Sequence, residues 1–162
     1  MIPQYRTILY ATDLSENAAH AFRHVISIAR CYDARIHFLH ALPEVDSAVL
    51  NDVSTVMGED KLADLEVAHK TEVADAIQKR LYAFAKEELN DHPEDVERVA
   101  AVEVHHGSPV AQILAAADRI NADLIVLGSH SKGVIKHAFL GSVAEKVLRK
   151  SQKPVLVIPL ND

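Results

Sequence analysis

Short apolar runs alternate along the chain with longer segments in which apolar residues recur every three or four positions. The first pattern is typical of buried strands and the second of amphipathic helices. Parallel strands need a crossover of a dozen or more residues, so the alternation predicts an α/β fold, with a five-stranded parallel open sheet and helices on both faces. The predicted strands are residues 7–11, 36–40, 99–105, 124–127 and 155–158. The 124–127 run is uniformly apolar and should be central, whereas 99–105 alternates as an edge strand does.

Capping residues predict where several helices begin and end. Ser15 suits the N-cap of the first helix, and Ser108 followed by Pro109 suits the start of the helix after the third strand. Asn121 is typical of that helix's C-terminal end. Ser142 followed by Glu145 forms a capping-box pattern, which predicts that the last helix starts at Ser142.

The middle of the chain holds a long helix pattern preceded by a polar stretch. Residues 43–59 contain Pro43, Gly58 and several Asp, Asn and Ser residues, and they are predicted to be a loop or weakly ordered insertion. A charged amphipathic helix is predicted from residue 60 to about 89. Its predicted inner face consists of Leu62, Leu65, Val73, Ile77, Leu81 and Phe84.

Composition limits the class of protein further. The 162 residues, 49% hydrophobic and 25% charged, predict a single domain over 1–162. The net charge of −6 argues against a nucleic-acid partner. The one cysteine, Cys31, excludes an internal disulfide and fits a reducing compartment. No apolar run is long enough for a membrane span, so we expect a cytoplasmic protein with no membrane partner.

Three of the five glycines, Gly128, Gly133 and Gly141, follow the fourth strand within fourteen residues. Glycines allow backbone amides to approach an anion closely, and the helix starting at Ser142 would offer unpaired N–H groups there. The overall acidic chain also has five basic residues against one acidic residue in 128–150. These are Lys132, Lys136, Lys146, Arg149 and Lys150. A small anionic ligand fits this pattern, although glycines that end a strand and lysines on a solvated helix face would produce it too.

Two standard phosphate motifs are absent. Gly128 and Gly133 have the spacing of a P-loop, but Val134 and Ile135 follow where a Lys-Ser/Thr pair is needed. The first strand is not followed by the Gly-x-Gly-x-x-Gly pattern of dinucleotide-binding folds.

Ordered motifs along nearly the whole chain resemble those of the universal stress protein family. The family's Gly-x2-Gly-x9-Gly-Ser/Thr signature matches as Gly128-x2-Ser131-x9-Gly141-Ser142. Segments 12–15, 107–109, 142–147 and 154–157 are similar as well. The resemblance implies a homodimer paired through the last strand and, in one branch of the family, binding of ATP, with Asp13 and Ala41 near the adenosine. The candidate nucleotide-binding residues are Thr12, Asp13, Ala41, Leu127, Gly128, Ser131, Lys132, Gly133, Gly141, Ser142 and Val143.

Ser131 departs from the signature because it stands where the second glycine is expected. A Cβ there is costly if the position needs a positive φ or if phosphate packs against the Cα. ATP is therefore the first expectation, with Mg or Mn held through its phosphates, and AMP, ADP or no nucleotide are the alternatives. Asp13 has its own alternative role, since an Asp between a strand and a helix often only stabilises the turn.

Other candidate sites are weaker. His20 and His24 have helical i, i+4 spacing but no matching third ligand, and adjacent His105 and His106 project to opposite faces of a strand, so no metal site is predicted. His130 and His137 are candidates for phosphate contacts. No residue is assigned a catalytic role.

Three functions remain in view at this point. The first is a nucleotide-binding regulatory module acting in a stress response through an unidentified protein partner. The second is a weak ATPase or phosphotransferase, and the third is a dimeric scaffold with an empty cleft. As the last strand of an open sheet, the apolar segment Val155, Leu156, Val157 and Ile158 is predicted to pair with a second copy, unless its own helices cover it.

Overall fold

The computed structural model describes residues 1–15, 17–44, 47–129 and 140–160. Its strands are β1 (Thr7–Ala11), β2 (Arg35–Leu42), β3 (Val99–His106), β4 (Leu124–Gly128) and β5 (Val155–Ile158). Its helices are α1 (Ala18–Tyr32), α2 (Ser47–Met57), α3 (Glu59–Glu88), α4 (Pro109–Arg119) and α5 (Ser142–Lys150), with a short 3-10 helix at Pro93–Arg98.

All five strands are parallel and lie in the order β3-β2-β1-β4-β5. Tyr10 in β1 stands beside Phe38 in β2 and Val126 in β4, so these three strands end at the same edge of the sheet. The predicted five-stranded parallel sheet is confirmed. The uniformly apolar β4 is an interior strand, and β3 and β5 are the two edges, as predicted.

Helices cover both faces of the sheet, because alternate strand residues point to opposite sides. On one face an aromatic cluster of Tyr10, Phe22 and Phe38 packs between the sheet and α1, with ring centroids 5.0 to 5.9 Å apart. On the other face, Ile113 of α4 and Val147 of α5 pack in a second buried cluster with Ile125. This layering leaves the carboxyl ends of the strands as the place where loops from both faces meet.

Helix α1 begins later than its sequence suggested. Asn17, not Ser15, occupies the N-cap, and the Ser15 carbonyl accepts the Ala18 N–H at 3.0 Å. The chain makes an extra turn first, at Leu14, whose φ of 62° is left-handed. The prediction of Ser15 as N-cap was therefore wrong.

The other helix ends follow the sequence more closely. Ser108 and Pro109 hold the predicted N-cap and first helical positions of α4, and Asn121 adopts a left-handed φ of 50° just after it. Helix α5 starts at Ser142 as predicted, but Gly141 is its N-cap. The capping box does not form, because Ser142 is already inside the helix. Glu145, its predicted partner, is paired with Arg149 at 2.8 Å.

The segment predicted as a loop contains helix α2. Residues 47–57 include neither Gly nor Pro, so nothing in them interrupts a helix, and Gly58, with a φ of 86°, separates α2 from α3. The inner face of α3 is partly as predicted, since Leu81 is buried but Leu65 is 52% exposed. A helix of 30 residues spans about 45 Å, longer than the strands it covers, so part of it extends past the sheet. Within the described residues, no helix combines the length and apolar composition that a membrane crossing requires.

Candidate functional site

A cavity of about 260 Å³ opens at the carboxyl ends of β1, β2 and β4. Its walls come from the β1–α1 turn, the end of β2, the start of α4 and the start of α5. Eight of the predicted site residues line it: Thr12, Asp13, Ala41, Leu127, Gly128, Gly141, Ser142 and Val143. The other three, Ser131, Lys132 and Gly133, lie outside the described residues, as do His130 and His137.

Hydrogen bonds hold the β1–α1 turn in a defined shape. The Thr12 N–H donates to the Leu39 carbonyl at 3.0 Å, and the Leu14 N–H donates to the Thr12 hydroxyl at 3.2 Å. The Ser15 N–H donates to Oδ1 of Asp13 at 2.9 Å. These bonds support a left-handed backbone conformation at Leu14. That conformation costs a residue with a Cβ about 1–2 kcal/mol.

Asp13 takes part in the turn and also lines the cavity. Its Oδ1 accepts from the Ser15 N–H and stabilises the turn, which is the alternative role predicted for this residue. The residue is nevertheless exposed and lines the cavity, and among the described residues no donor bonds its Oδ2. One carboxylate oxygen is thus available to accept hydrogen bonds from a ligand.

The start of α5 also lines the cavity. The Glu145 N–H bonds back to the Gly141 carbonyl at 2.9 Å, so the N–H groups of Ser142 and Val143 stand in the first turn. Such first-turn amides have no partner within their own helix and carry a partial positive charge. This side of the cavity is therefore suited to an anion.

Ser129 holds this region together. Its carbonyl accepts the Gly141 N–H at 2.5 Å, and its N–H donates to the Ile158 carbonyl at 2.9 Å. Its hydroxyl accepts the Leu160 N–H at 3.1 Å. The end of β4, the start of α5 and the end of β5 are thereby fixed to one another at the cavity.

The absence of a side chain at Gly128 is needed for packing, which its sequence context did not indicate. A Cβ at this position would lie 2.8 Å from Cδ1 of Leu160, so the glycine makes room for a buried leucine. Gly141 has a φ of −67°, which other residues adopt readily. Neither glycine has a positive φ, so no left-handed backbone requires a glycine at either position.

Tyr10 is a buried residue that lines the cavity and carries a hydroxyl. Burial raises the pKa of Tyr10, so the group stays protonated and donates to the Ala18 carbonyl at 2.9 Å. The basic residues of α5 that were predicted near the glycines do not line the cavity. Lys146, Arg149 and Lys150 are exposed on this helix, while Lys132 and Lys136 lie outside the described residues.

Family comparison gives this arrangement a context. The model of the universal stress protein family matches residues 4–159. The chain belongs to this family. A universal stress protein of Methanocaldococcus jannaschii is 31% identical over 162 residues, covering 98% of this chain and 97% of the relative. The resemblance noted in the sequence is confirmed.

Solved universal stress proteins share the fold. One from Lactobacillus plantarum matches with a TM-score of 0.69 at 23% identity, covering 97% of this chain and 99% of that one. One from Archaeoglobus fulgidus, solved in complex with dAMP, matches with a TM-score of 0.54 at 24% identity and covers 96% and 99%. These likenesses support the five-stranded α/β architecture.

Several cavity residues of this universal stress protein escaped the sequence analysis. They are Tyr10, Ser15, Asn17, His40, Pro109, Ile113, Ser129 and Leu160. His40 precedes Ala41 at the end of a predicted strand, a position that could have indicated it. Leu160 follows the last strand and reaches the cavity only through the packing of the tail, which has no local sequence signal.

Proposed function

We propose that this universal stress protein is a nucleotide-binding regulatory module, and that ATP is the ligand of its cavity. The observation that carries the proposal is the polarity of the cavity. Its lining brings together the carboxylate of Asp13 and the first residues of α5, whose amides have no partner within their own helix. A molecule with donors at one end and phosphates at the other complements both.

The adenosine part is assigned to the side of β1 and β2. The free oxygen of Asp13 would accept from ribose hydroxyls or a base amino group, and would repel phosphate. The backbone of Ala41 closes this side. Pro109, Ile113 and Leu127 supply the apolar surface that a flat base requires.

The phosphates are assigned to the side of α5. Gly141 presents no side chain, and the hydroxyl of Ser142 adds a donor to the first-turn amides. ATP is proposed first, with AMP and ADP as alternatives, and Mg or Mn would be held through the phosphates. A protein of the same fold was solved with dAMP, so the fold can hold a nucleotide.

A regulatory role is proposed in preference to catalysis. Phosphoryl transfer needs an oriented nucleophile close to the transferred phosphate. Among the described residues, Asp13 is the one carboxylate that lines the cavity, and it stands at the adenosine side. We propose that the bound state is sensed by a protein partner, and that two copies pair through β5.

The test is to denature the purified protein, identify any released nucleotide, and titrate the protein with ATP up to millimolar concentration by calorimetry. We expect an adenine nucleotide to be released or bound. Gly141→Val should lower ATP affinity at least tenfold with little effect on unfolding, because the backbone at 141 is already extended. Ala100→Val, which adds bulk on β3 away from the cavity, is the control. A protein that neither releases nor binds an adenine nucleotide would overturn the proposal.

A further inference from the structure

His40, near the end of β2, contacts the turn that follows β1 at the adenosine side of the cavity. Its Nδ1 lies 2.8 Å from the backbone carbonyl oxygen of Thr12. A carbonyl carries no hydrogen, so the ring nitrogen must be the donor, and His40 is in the Nδ1–H form. The bond links the end of β2 to the first residue after β1.

The Thr12 carbonyl takes its partner from a side chain and not from the backbone ladder of the sheet. The last paired residues of β1 and β2 are Ala11 and Leu39, so Thr12 lies just beyond the regular pairing. Its N–H still reaches the Leu39 carbonyl at 3.0 Å. The residue itself is 8% exposed, and a buried carbonyl left without a donor would be costly.

The turn after Thr12 is strained. Leu14 has a φ of 62°, in the left-handed region that a leucine rarely adopts. Conformations of this kind persist where surrounding contacts force them, and they concentrate at binding sites. Among the described residues, three side-chain hydrogen bonds act on this turn, from Thr12, Asp13 and His40, and of these the bond from His40 comes from another element.

We propose that His40 is a positioning residue for nucleotide binding: its Nδ1–H bond to Thr12 holds the strained turn that directs Asp13 into the cavity. The inference rests on the proposed function, since it concerns the same cavity. His40 acts through the turn and is not assigned a contact with phosphate. The sheet is complete without this bond, so its loss should affect the ligand site more than the fold.

Two substitutions at His40 remove the imidazole ring, and only one of them keeps a hydrogen-bond donor at the position of Nδ1. In His40→Asn the amide nitrogen takes the place of Nδ1, whereas in His40→Gln it falls nearer the place of Nε2. Calorimetry should show His40→Gln binding both adenosine and ATP about tenfold more weakly, because the turn lies at the adenosine side. His40→Asn should stay within about threefold of the unsubstituted protein. Urea unfolding of both variants should be close to that of the unsubstituted protein.

Two further measurements report on positioning itself. Hydrogen exchange at the amides of Leu14 and Ser15 should accelerate in His40→Gln and remain slow in His40→Asn. In a protein already carrying Asp13→Ala, His40→Gln should cause little additional loss of adenosine affinity, because the group it positions is gone. A purely structural histidine would give additive losses.

The possible results distinguish the two proposals. A protein that binds neither adenosine nor ATP overturns the proposed function and this inference together. A protein that binds them, but whose His40→Gln variant binds equally well, overturns this inference alone. Equal losses in His40→Asn and His40→Gln, unchanged exchange at Leu14 and Ser15, or additivity with Asp13→Ala would also overturn it.

Discussion

Leu160 occupies the space that a side chain at Gly128 would need, with its Cδ1 2.8 Å from the position of the missing Cβ. Leu160 is only 9% exposed, and its N–H is bonded to the Ser129 hydroxyl, so it has little freedom to move away. The glycine at the end of β4 therefore belongs to the packing of the tail against the sheet as much as to the cavity.

Gly128→Ala should lower the free energy of unfolding by about 1–3 kcal/mol, because the added methyl group overlaps Leu160. Leu160→Ala should cost about 2–5 kcal/mol through lost burial. The double variant should lose less free energy of unfolding than the sum of the two single losses, since the Leu160 atom that causes the clash is absent. Urea unfolding of the three variants measures this coupling. Strictly additive losses would show that the two positions do not compete for space.

Asp95 should stabilise the protein in a pH-dependent way. It is 3% exposed and accepts hydrogen bonds from Arg30 at 2.7 Å and from Arg98 at 3.0 Å. The bonds from Arg30, and then those from Arg98, hold the pKa of the Asp95 carboxyl below its ordinary value of 3.8. Asp95→Asn should lower the free energy of unfolding by about 2 kcal/mol at pH 7, a figure reduced from that of a fully buried pair because both arginines reach solvent.

The sign of the pH effect follows from the lowered pKa. The stabilisation by Asp95 is complete above the unfolded-state pKa and is lost as the pH falls through the folded-state pKa, which lies lower. The difference between the unsubstituted protein and Asp95→Asn should thus be constant from pH 7 to 5 and shrink below about pH 4. Asp91→Asn, an equal charge change at an exposed position on the same segment, is the control and should have little effect. A difference that grows on acidification would contradict this account.

Asp13 and Ser142 should affect different parts of the ligand. Asp13→Ala should lower the affinity for adenosine, AMP and ATP by a similar factor, about tenfold to a hundredfold, because it removes a charged hydrogen-bond acceptor at the adenosine side. Asp13→Asn retains an oxygen for the Ser15 N–H and separates loss of charge from loss of the turn. Ser142→Ala should weaken ATP more than adenosine. Calorimetric titration with the three ligands measures the pattern, and the reverse pattern would mean that the ligand lies the other way round.

The backbone N–H and C=O of Val157 point away from β4, towards the open edge of the sheet. The Ile125 N–H bonds to the Pro154 carbonyl and the Ser129 N–H to the Ile158 carbonyl, so even-numbered residues of β5 pair with β4. Val157→Pro would remove an outward N–H without breaking that ladder, whereas Val157→Ala keeps the N–H.

If β5 pairs with a second copy, sedimentation should show the unsubstituted protein and Val157→Ala as dimers, at about twice the 17.8 kDa chain mass, and Val157→Pro as a monomer. Circular dichroism would verify that the proline variant keeps its fold. A folded Val157→Pro variant that remains dimeric would place the interface elsewhere.

Much of the fold was determined by local pattern. Apolar runs such as that from Leu124 to Leu127 specified buried strands, and the alternation around Glu103 specified an edge. Successive strand residues face opposite sides of the sheet, so the local pattern shows which sides are buried. The parallel order of strands then brought Asp13, Ala41 and Gly141 to one edge, as the sequence predicts.

Only the tertiary structure decided the rest. The bond from His40 to Thr12 spans 28 positions, and that from Leu160 to Ser129 spans 31. Neither has a local signature, because each depends on where the sheet places the two partners. The same reason explains Ser15, which has good capping chemistry but lies in a turn that contacts with β2 hold in place. Sequence specified which segments meet at the cavity, while packing between distant residues specified how each side chain is used there.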